Sequence, residues 1–363
     1  MQEIQQTREN PRILIHPIVD FLMIGGLSIF FYIGFIVFHD PSKDTNALGW
    51  TMFYLSFAIN FPHFLISYQH FYGDHRKRLL SDWKWLGVAW VVPIIFISYV
   101  AWAAWTVELQ SLGWLVNLMF VLVGWHYVKQ IFGCVIVTGH RARYPMNSRF
   151  REALRSNLFS IWALSYVNGN RAIGQLDFYS LKYLTIALPD EAMWLAWSAV
   201  AISLVWLLKE LVDIYIKEGR WPSFLSITAW VAIYVWYLPT LYSPAYFLMI
   251  PAFHSLQYLL FSWTYTSNRV REQSQNHHDD EVQRRAYFVK KFFAYLGSSF
   301  ILGALFFNFI PNWLDGENLY ARDILGATFF MACFQLFLNI HHYLIDHLIW
   351  RGHLPEVRKY LLS

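Results

Sequence analysis

The sequence predicts an all-α integral membrane protein, a polytopic transmembrane helical bundle of about ten spans with both termini in the cytoplasm. Apolar residues make up 56% of the 363 positions and charged residues only 14%, whereas a soluble protein carries about 25% charged residues. The 18 Trp, 22 Tyr and 31 Phe residues are typical of polytopic proteins with aromatic belts at the membrane interfaces. We therefore expect a multi-pass protein of a bacterial-type cytoplasmic membrane.

A transmembrane helix needs about 20 predominantly apolar residues, and about ten segments approach this length. The fifth is the weakest, because Asn168, Asn170 and Arg171 interrupt it, so the stretch as far as Pro189 is alternatively re-entrant or interfacial. The segments lie at 17–38, 50–71, 84–106, 112–138, 156–174, 191–216, 223–243, 246–266, 290–311 and 323–350.

The positions of the basic residues predict the orientation of the chain in the membrane and the class of its partners. In a ten-span arrangement the clusters at 75–78, 141–155, 269–291 and 351–359 fall on one side of the membrane, and cations favour the cytoplasmic side. We expect one domain, 1–363, with 267–289 as a polar cytoplasmic loop. Because the cations lie in separate loops and form no continuous face, we expect the lipid bilayer and no nucleic acid as a partner.

Histidines lie deep inside four of these segments: His63, His126, His254, and the adjacent His341 and His342. An imidazole in hydrocarbon is costly. Each of the four positions precedes a basic run by about 9 to 15 residues, or about 14 to 22 Å of helix, which gives them a similar depth. The sequence therefore predicts one shared site that binds a metal, and the alternative is that each histidine is an interhelical hydrogen-bonding residue.

The last segment carries two adjacent histidines, and its pattern of polar residues favours one of them as the metal ligand. Gln335, Asn339, His342 and Asp346 form one polar stripe at helical spacing, whereas His341 shares its face with apolar residues. We expect His342 to be the ligand, with His341 as the alternative. Asp346 is a candidate acceptor that would fix the tautomer of the His342 ring.

The eighth segment adds two candidate catalytic residues. Gln257 and Tyr258 follow His254 by about one turn, and with Asp346 they form our candidate catalytic set. Other histidines lie at or beyond the inner interface, where we expect contacts with headgroups or solvent: His70, His75, His140, His347 and His353.

The type of donor atom limits which metals the site is expected to bind. Neutral imidazoles suit iron, copper or zinc, and the absence of carboxylates beside the four histidines in sequence argues against a hard cation. An all-nitrogen site with an open position suits non-haem iron (Fe2+) that activates dioxygen on a lipophilic, carotenoid-like or lipid substrate. Both reactants concentrate in the bilayer, so we expect an elongated apolar tunnel from the lipid to the site.

The histidine motifs resemble the membrane-integral Brp/Blh family. The order of Pro62-His63, the lone His126, Phe253-His254-Ser255, and His341 to Asp346 followed by Ile349-Trp350-Arg351 matches. The resemblance implies a β-carotene 15,15'-dioxygenase that cleaves a carotenoid to retinal with histidine-bound iron and dioxygen. The family has an acidic residue where this chain has Ser67 and a histidine where it has Tyr258, so the resemblance supports the site and fold more than carotene as substrate.

Two other function classes stay open. A di-iron lipid desaturase or hydroxylase carries clustered HxxxH and HxxHH boxes, which only His341-His342 and the His70/His75 pair resemble. A non-catalytic integral membrane subunit would instead bind haem, pigment or partner helices within a membrane complex. Metal analysis discriminates among the three: one iron per chain favours the oxygenase, two favour the di-iron enzyme, and haem or no metal favours the subunit.

Overall fold

The chain folds almost entirely into helices. The computed structural model describes residues 13–39, 41–171, 174–317 and 323–362, and only the backbone of 41–44. The N-terminal residues 1–12, which we expect in the cytoplasm, lie outside the described residues. In chain order the elements are α1 (Pro17–Phe38), α2 (41–74), α3 (Arg78–Ser81), α4 (Trp83–Thr106), α5 (Leu109–Arg141), α6 (Ser148–Gly169), β1 (Gln175–Phe178), β2 (Leu181–Leu184), α7 (Glu191–Glu218), α8 (Phe224–Leu241), α9 (Ile250–His277), α10 (Glu281–Glu317), α11 (Phe329–Ile349) and α12 (355–362).

Within the described residues, five helices are long and apolar enough to cross a membrane: α1, α4, α5, α8 and α10. Their surfaces keep large apolar side chains exposed, as Ile94, Ile95 and Ile97 do along α4. A contiguous apolar surface of this kind suits contact with lipid and would be a liability in water. The nearly all-α fold is confirmed, and the five apolar helices indicate a membrane protein.

The fifth predicted span ends early. Helix α6 stops at Gly169, and the chain then forms the antiparallel hairpin β1–β2, with Gln175 paired to Leu184. Asn170 stabilises this change of direction, because its backbone oxygen accepts from Leu188 N at 2.7 Å and its side-chain oxygen accepts from Ile186 N at 3.1 Å. The expectation of a helix through residue 174 was wrong.

The stretch 267–289 is not an extended loop. Helix α9 continues to His277 and α10 begins at Glu281, so only residues 278–280 connect them. The Asp280 carboxylate caps α10 by accepting from Gln283 N at 3.0 Å. The correction has a simple cause, since Arg, Glu and Gln are good helix formers in water and the helices need not end where the apolar stretch ends.

Two glycines allow close helix packing near the histidines. A Cβ at Gly303 on α10 would lie 3.0 Å from the backbone carbon of Phe61 on α2, and a Cβ at Gly124 on α5 would overlap the Trp162 indole of α6. Small residues at helix crossings are the usual basis of tight packing in membranes. These crossings position α2 and α5, which carry the first two histidine motifs.

Candidate metal centre

Four helices bring four imidazoles into one buried cluster. Nε2 of His63 on α2 lies 3.2 Å from Nε2 of His342 on α11, and Nε2 of His126 on α5 lies 3.0 Å from Nε2 of His254 on α9. The four side chains are at most 5% exposed. The structure therefore brings these sequence-predicted residues together; their role as ligands stays a prediction.

The four rings form a closed group. Ring centroids are 4.7 Å apart for His126 and His254, 4.8 Å for His63 and His342, 4.9 Å for His126 and His342, and 5.3 Å for His63 and His254. When a metal binds nitrogens at about 2.1 Å, two of these nitrogens lie about 3.0 Å apart if their bonds to the metal are at right angles. In tetrahedral coordination they lie about 3.4 Å apart. The observed nitrogen separations of 3.0 and 3.2 Å lie within that interval, so each of these two pairs fits one ion. Three of the histidines, His63, His254 and His342, have donor atoms within 4.8 Å of one another, and so do His126, His342 and Asp346.

The outer nitrogen of His63 fixes its ring. Nδ1 lies 2.5 Å from the backbone oxygen of Asn60, and a carbonyl oxygen can only accept, so Nδ1 carries the proton. The Ser255 hydroxyl lies 2.9 Å from the same nitrogen and donates to the Asn60 side-chain oxygen at 2.9 Å. In the neutral ring Nε2 is then an unprotonated donor to a metal, directed at the other three imidazoles.

His254 and His342 are held differently. Among the described residues, Nδ1 of neither ring has a hydrogen-bond partner, although both atoms are buried. The backbone oxygen of His254 accepts from Gln130 Nε2 at 2.7 Å. Packing on Tyr127 (4.4 Å between centroids) and on Phe64 (4.2 Å) therefore orients these two rings.

Asp346 lies closer to the centre than its expected role requires. Its Oδ2 is 3.5 Å from Nε2 of His342 and 3.8 Å from Nε2 of His126. The carboxylate thus faces the inner nitrogens and does not accept from Nδ1 of His342, which corrects the expectation that it fixes the tautomer. It also corrects the inference from sequence that the histidines have no carboxylate beside them.

Tyr258 links the carboxylate to a hydroxyl network. Its Oη donates to Oδ1 of Asp346 at 3.4 Å, lies 2.5 Å from Oγ of Ser67, and accepts from Nε1 of Trp350 at 3.2 Å. The contacts of Ser255 and Trp350 with this site were not predicted from the sequence. Their positions within two of the histidine motifs could have indicated them.

Two predicted site residues lie outside the group. Gln257 donates to the backbone oxygen of Ile24, at a π-helical turn of α1, and accepts from Gln130 at 3.2 Å, so it connects helices. His341 uses both ring nitrogens elsewhere, at 2.8 Å from Tyr68 Oη and 2.8 Å from Val88 O. The structure thus directs His342, and not His341, at the other three histidines.

Two histidines expected at the inner interface are buried. His70 is 1% exposed and His75 is 4% exposed. His70 bonds to Asp74 at 2.7 Å and to Tyr295 at 2.6 Å, and Arg269 contacts the same carboxylate. The His70 ring is satisfied within the bundle, and the His75 ring packs on Trp85 with centroids 5.0 Å apart, so both are buried away from headgroups and solvent.

Two cavities lie away from the histidines. One of about 460 Å³ lies between α5 and the β1–β2 hairpin, and one of about 840 Å³ lies between the start of α1 and the start of α8. Neither is lined by a predicted site residue. The expected apolar tunnel stays a prediction.

No protein-family model, curated protein or solved structure matches this chain. A functional assignment therefore depends on the chemistry of its own residues.

Proposed function

We propose that the chain is a membrane-embedded non-haem iron oxygenase that spans the membrane about ten times with both termini in the cytoplasm. The observation that carries the proposal is the cluster of four buried imidazoles, in which Nε2 of His63 lies 3.2 Å from Nε2 of His342 and Nε2 of His126 lies 3.0 Å from Nε2 of His254. Four costly polar groups on four separate helices are best explained by one shared ligand.

The donor set supports a transition metal that imidazole binds, and of these we propose iron. Four neutral nitrogens with one nearby carboxylate, Asp346, suit a borderline transition-metal ion better than calcium or magnesium. Bound Fe2+ with an open position would supply the activation of dioxygen for attack on a lipophilic substrate from the bilayer. Burial of the four rings excludes water from that reaction.

The chain's own groups have separable tasks. The Asn60 carbonyl holds the proton of His63 at Nδ1 and so keeps Nε2 available. Tyr258 Oη donates to Oδ1 of Asp346 at 3.4 Å, which places these two groups to move a proton toward or away from the reacting atoms. Ser67 contacts Tyr258, so the two positions that differ from the Brp/Blh pattern lie together beside the centre, which favours a substrate other than β-carotene.

A non-catalytic membrane subunit is the second candidate. The Nε2–Nε2 separations of 3.0 and 3.2 Å also suit hydrogen bonds between helices. Haem is disfavoured as its ligand, because four rings with centroids within 5.3 Å of their neighbours leave no slot for a macrocycle. A di-iron desaturase is disfavoured because a second ion would need further histidine ligands, whereas His341 bonds to Tyr68 and Val88 and His70 bonds to Asp74 and Tyr295.

Elemental analysis of the purified chain tests the proposal. We expect about one iron per chain, because the imidazoles form a single cluster. His126→Ala should abolish iron retention, and His140→Ala, an exposed histidine on the same helix, should leave it unchanged. Equal iron content in the two variants would refute the centre, and loss of folding in His126→Ala alone would favour the interhelical role.

A further inference from the structure

A cluster of three basic side chains begins about one turn beyond the histidine centre, near the C-terminal end of α11. Lys129 follows His126 by three residues on α5, a rise of about 4.5 Å. Its Nζ contacts Nδ1 of His347, and Nη2 of Arg351 lies 2.8 Å from Nε2 of the same ring. We call Lys129, His347 and Arg351 the basic triplet.

The triplet is held in place. The Lys129 ammonium lies 4.4 Å from the centroid of Trp125, and that ring packs on His347 with centroids 5.2 Å apart. Arg351 Nε also donates to the His347 backbone oxygen at 3.0 Å. A lysine that merely extends toward the membrane surface keeps its rotamer freedom, whereas these contacts fix the position of the charge.

The triplet contains more donors than acceptors. A neutral imidazole has one lone pair, so His347 can accept from only one of its two cationic neighbours. Among the described residues no carboxylate forms an ion pair with Lys129 or Arg351, and Asp346 is directed at the histidines and Tyr258. The remaining ammonium and guanidinium N–H groups therefore point to an acceptor from outside the chain.

All three side chains are only partly buried, so an anion can reach them. Lys84 and Arg155, both exposed, are close enough to add positive potential at His347 and Lys129 respectively. This concentration of charge at the end of a helix that otherwise packs in an apolar bundle matches an amphiphile at the membrane surface.

We infer that the basic triplet binds the anionic headgroup, carboxylate or phosphate, of an amphiphile whose hydrocarbon chain lies in the bilayer. The inference deepens the proposed function and depends on it for its catalytic meaning. With the headgroup about one turn from the four imidazoles, the carbons presented to the centre are those near the headgroup. A neutral carotenoid has no group that would satisfy the triplet.

Binding of oleate to the full chain in phosphatidylcholine nanodiscs tests this site. Lys129→Gln and Arg351→Gln should each weaken oleate binding by about tenfold or more, since a hydrogen bond to a charged group contributes about 1.5–3 kcal/mol. Lys129→Arg should retain binding because it keeps the charge. Lys77→Gln, which removes an exposed cation, should change nothing, and wild-type affinity in both glutamine variants would overturn the inference.

Two further ligands identify the source of the anion. Oleyl alcohol should bind at least about tenfold more weakly than oleate and should not respond to Lys129→Gln. Inorganic phosphate should not displace oleate at equal concentration, and full displacement would replace the amphiphile by a small free anion. His126→Ala should lose iron yet keep oleate binding that depends on Lys129, so failure of the headgroup site and failure of the iron centre give different results.

Discussion

Replacing Gly303 with alanine should disturb the candidate centre from a helix that carries none of its histidines. The new Cβ would lie 3.0 Å from both the carbonyl carbon and the Cβ of Phe61 and 3.1 Å from its backbone oxygen. Carbon atoms pack best at about 3.5–4.0 Å, so α10 and α2 must separate by about 0.5 Å. That overpacking costs about 1–3 kcal/mol, and the site of the strain is two residues from His63.

Gly297→Ala is the matched control on the same helix, because its Cβ would meet no atom within 4 Å. There alanine should add about 1 kcal/mol through helix propensity alone. Thermal unfolding in nanodiscs, with iron content measured in parallel, should find the Gly303 variant less stable than the Gly297 variant by about 1–3 kcal/mol and poorer in iron. Equal unfolding temperatures and equal iron content would refute the packing argument.

Three further outcomes test individual contacts. Ser255→Ala removes a partner of the outer nitrogen of the α2 imidazole and should weaken iron binding by about 10–100-fold. Ser262→Ala should not, because its buried hydroxyl has no hydrogen-bond partner among the described residues; metal-buffered titration measures both. Tyr258→Phe should destabilise the fold by about 1–3 kcal/mol because buried partners lose their bond. Tyr166→Phe should be nearly neutral in the same unfolding assay, because its buried hydroxyl has no partner in the part of the chain that the structure describes. Added iron at about 100 times its Kd should stabilise the wild type by about 2.7 kcal/mol and leave His126→Ala unchanged; comparable shifts in both would contradict binding at the histidines.

The helices and the histidine group were largely predictable, and the contacts around the group were not. Segment positions follow from hydropathy and bilayer thickness, and polar groups in apolar helices must face inward. The orientation of Asp346 toward the inner nitrogen of His342 depends on how α11 rotates against three other helices. The bond between Ser255 and His63 joins residues 192 positions apart, and helix pairing at that distance leaves no periodic signal in the sequence.

The same polar groups explain why some helices of the bundle are apolar enough to cross a membrane and others are not. Of the four helices that carry the converging histidines, α5 meets it, whereas α2, α9 and α11 are not among the five that do. Helix α11 contains Gln335, Asn339, His342 and Asp346 within about three turns. Each polar group lowers hydropathy and raises the cost of an isolated span, but in the bundle Gln335 donates to the Phe307 backbone oxygen of α10 at 3.3 Å and Asp346 accepts from Tyr258 of α9 at 3.4 Å. Gln335 and Asp346, which make α11 a poor independent span, therefore gain partners when the bundle assembles, so its low hydropathy and its place at the centre have one physical cause.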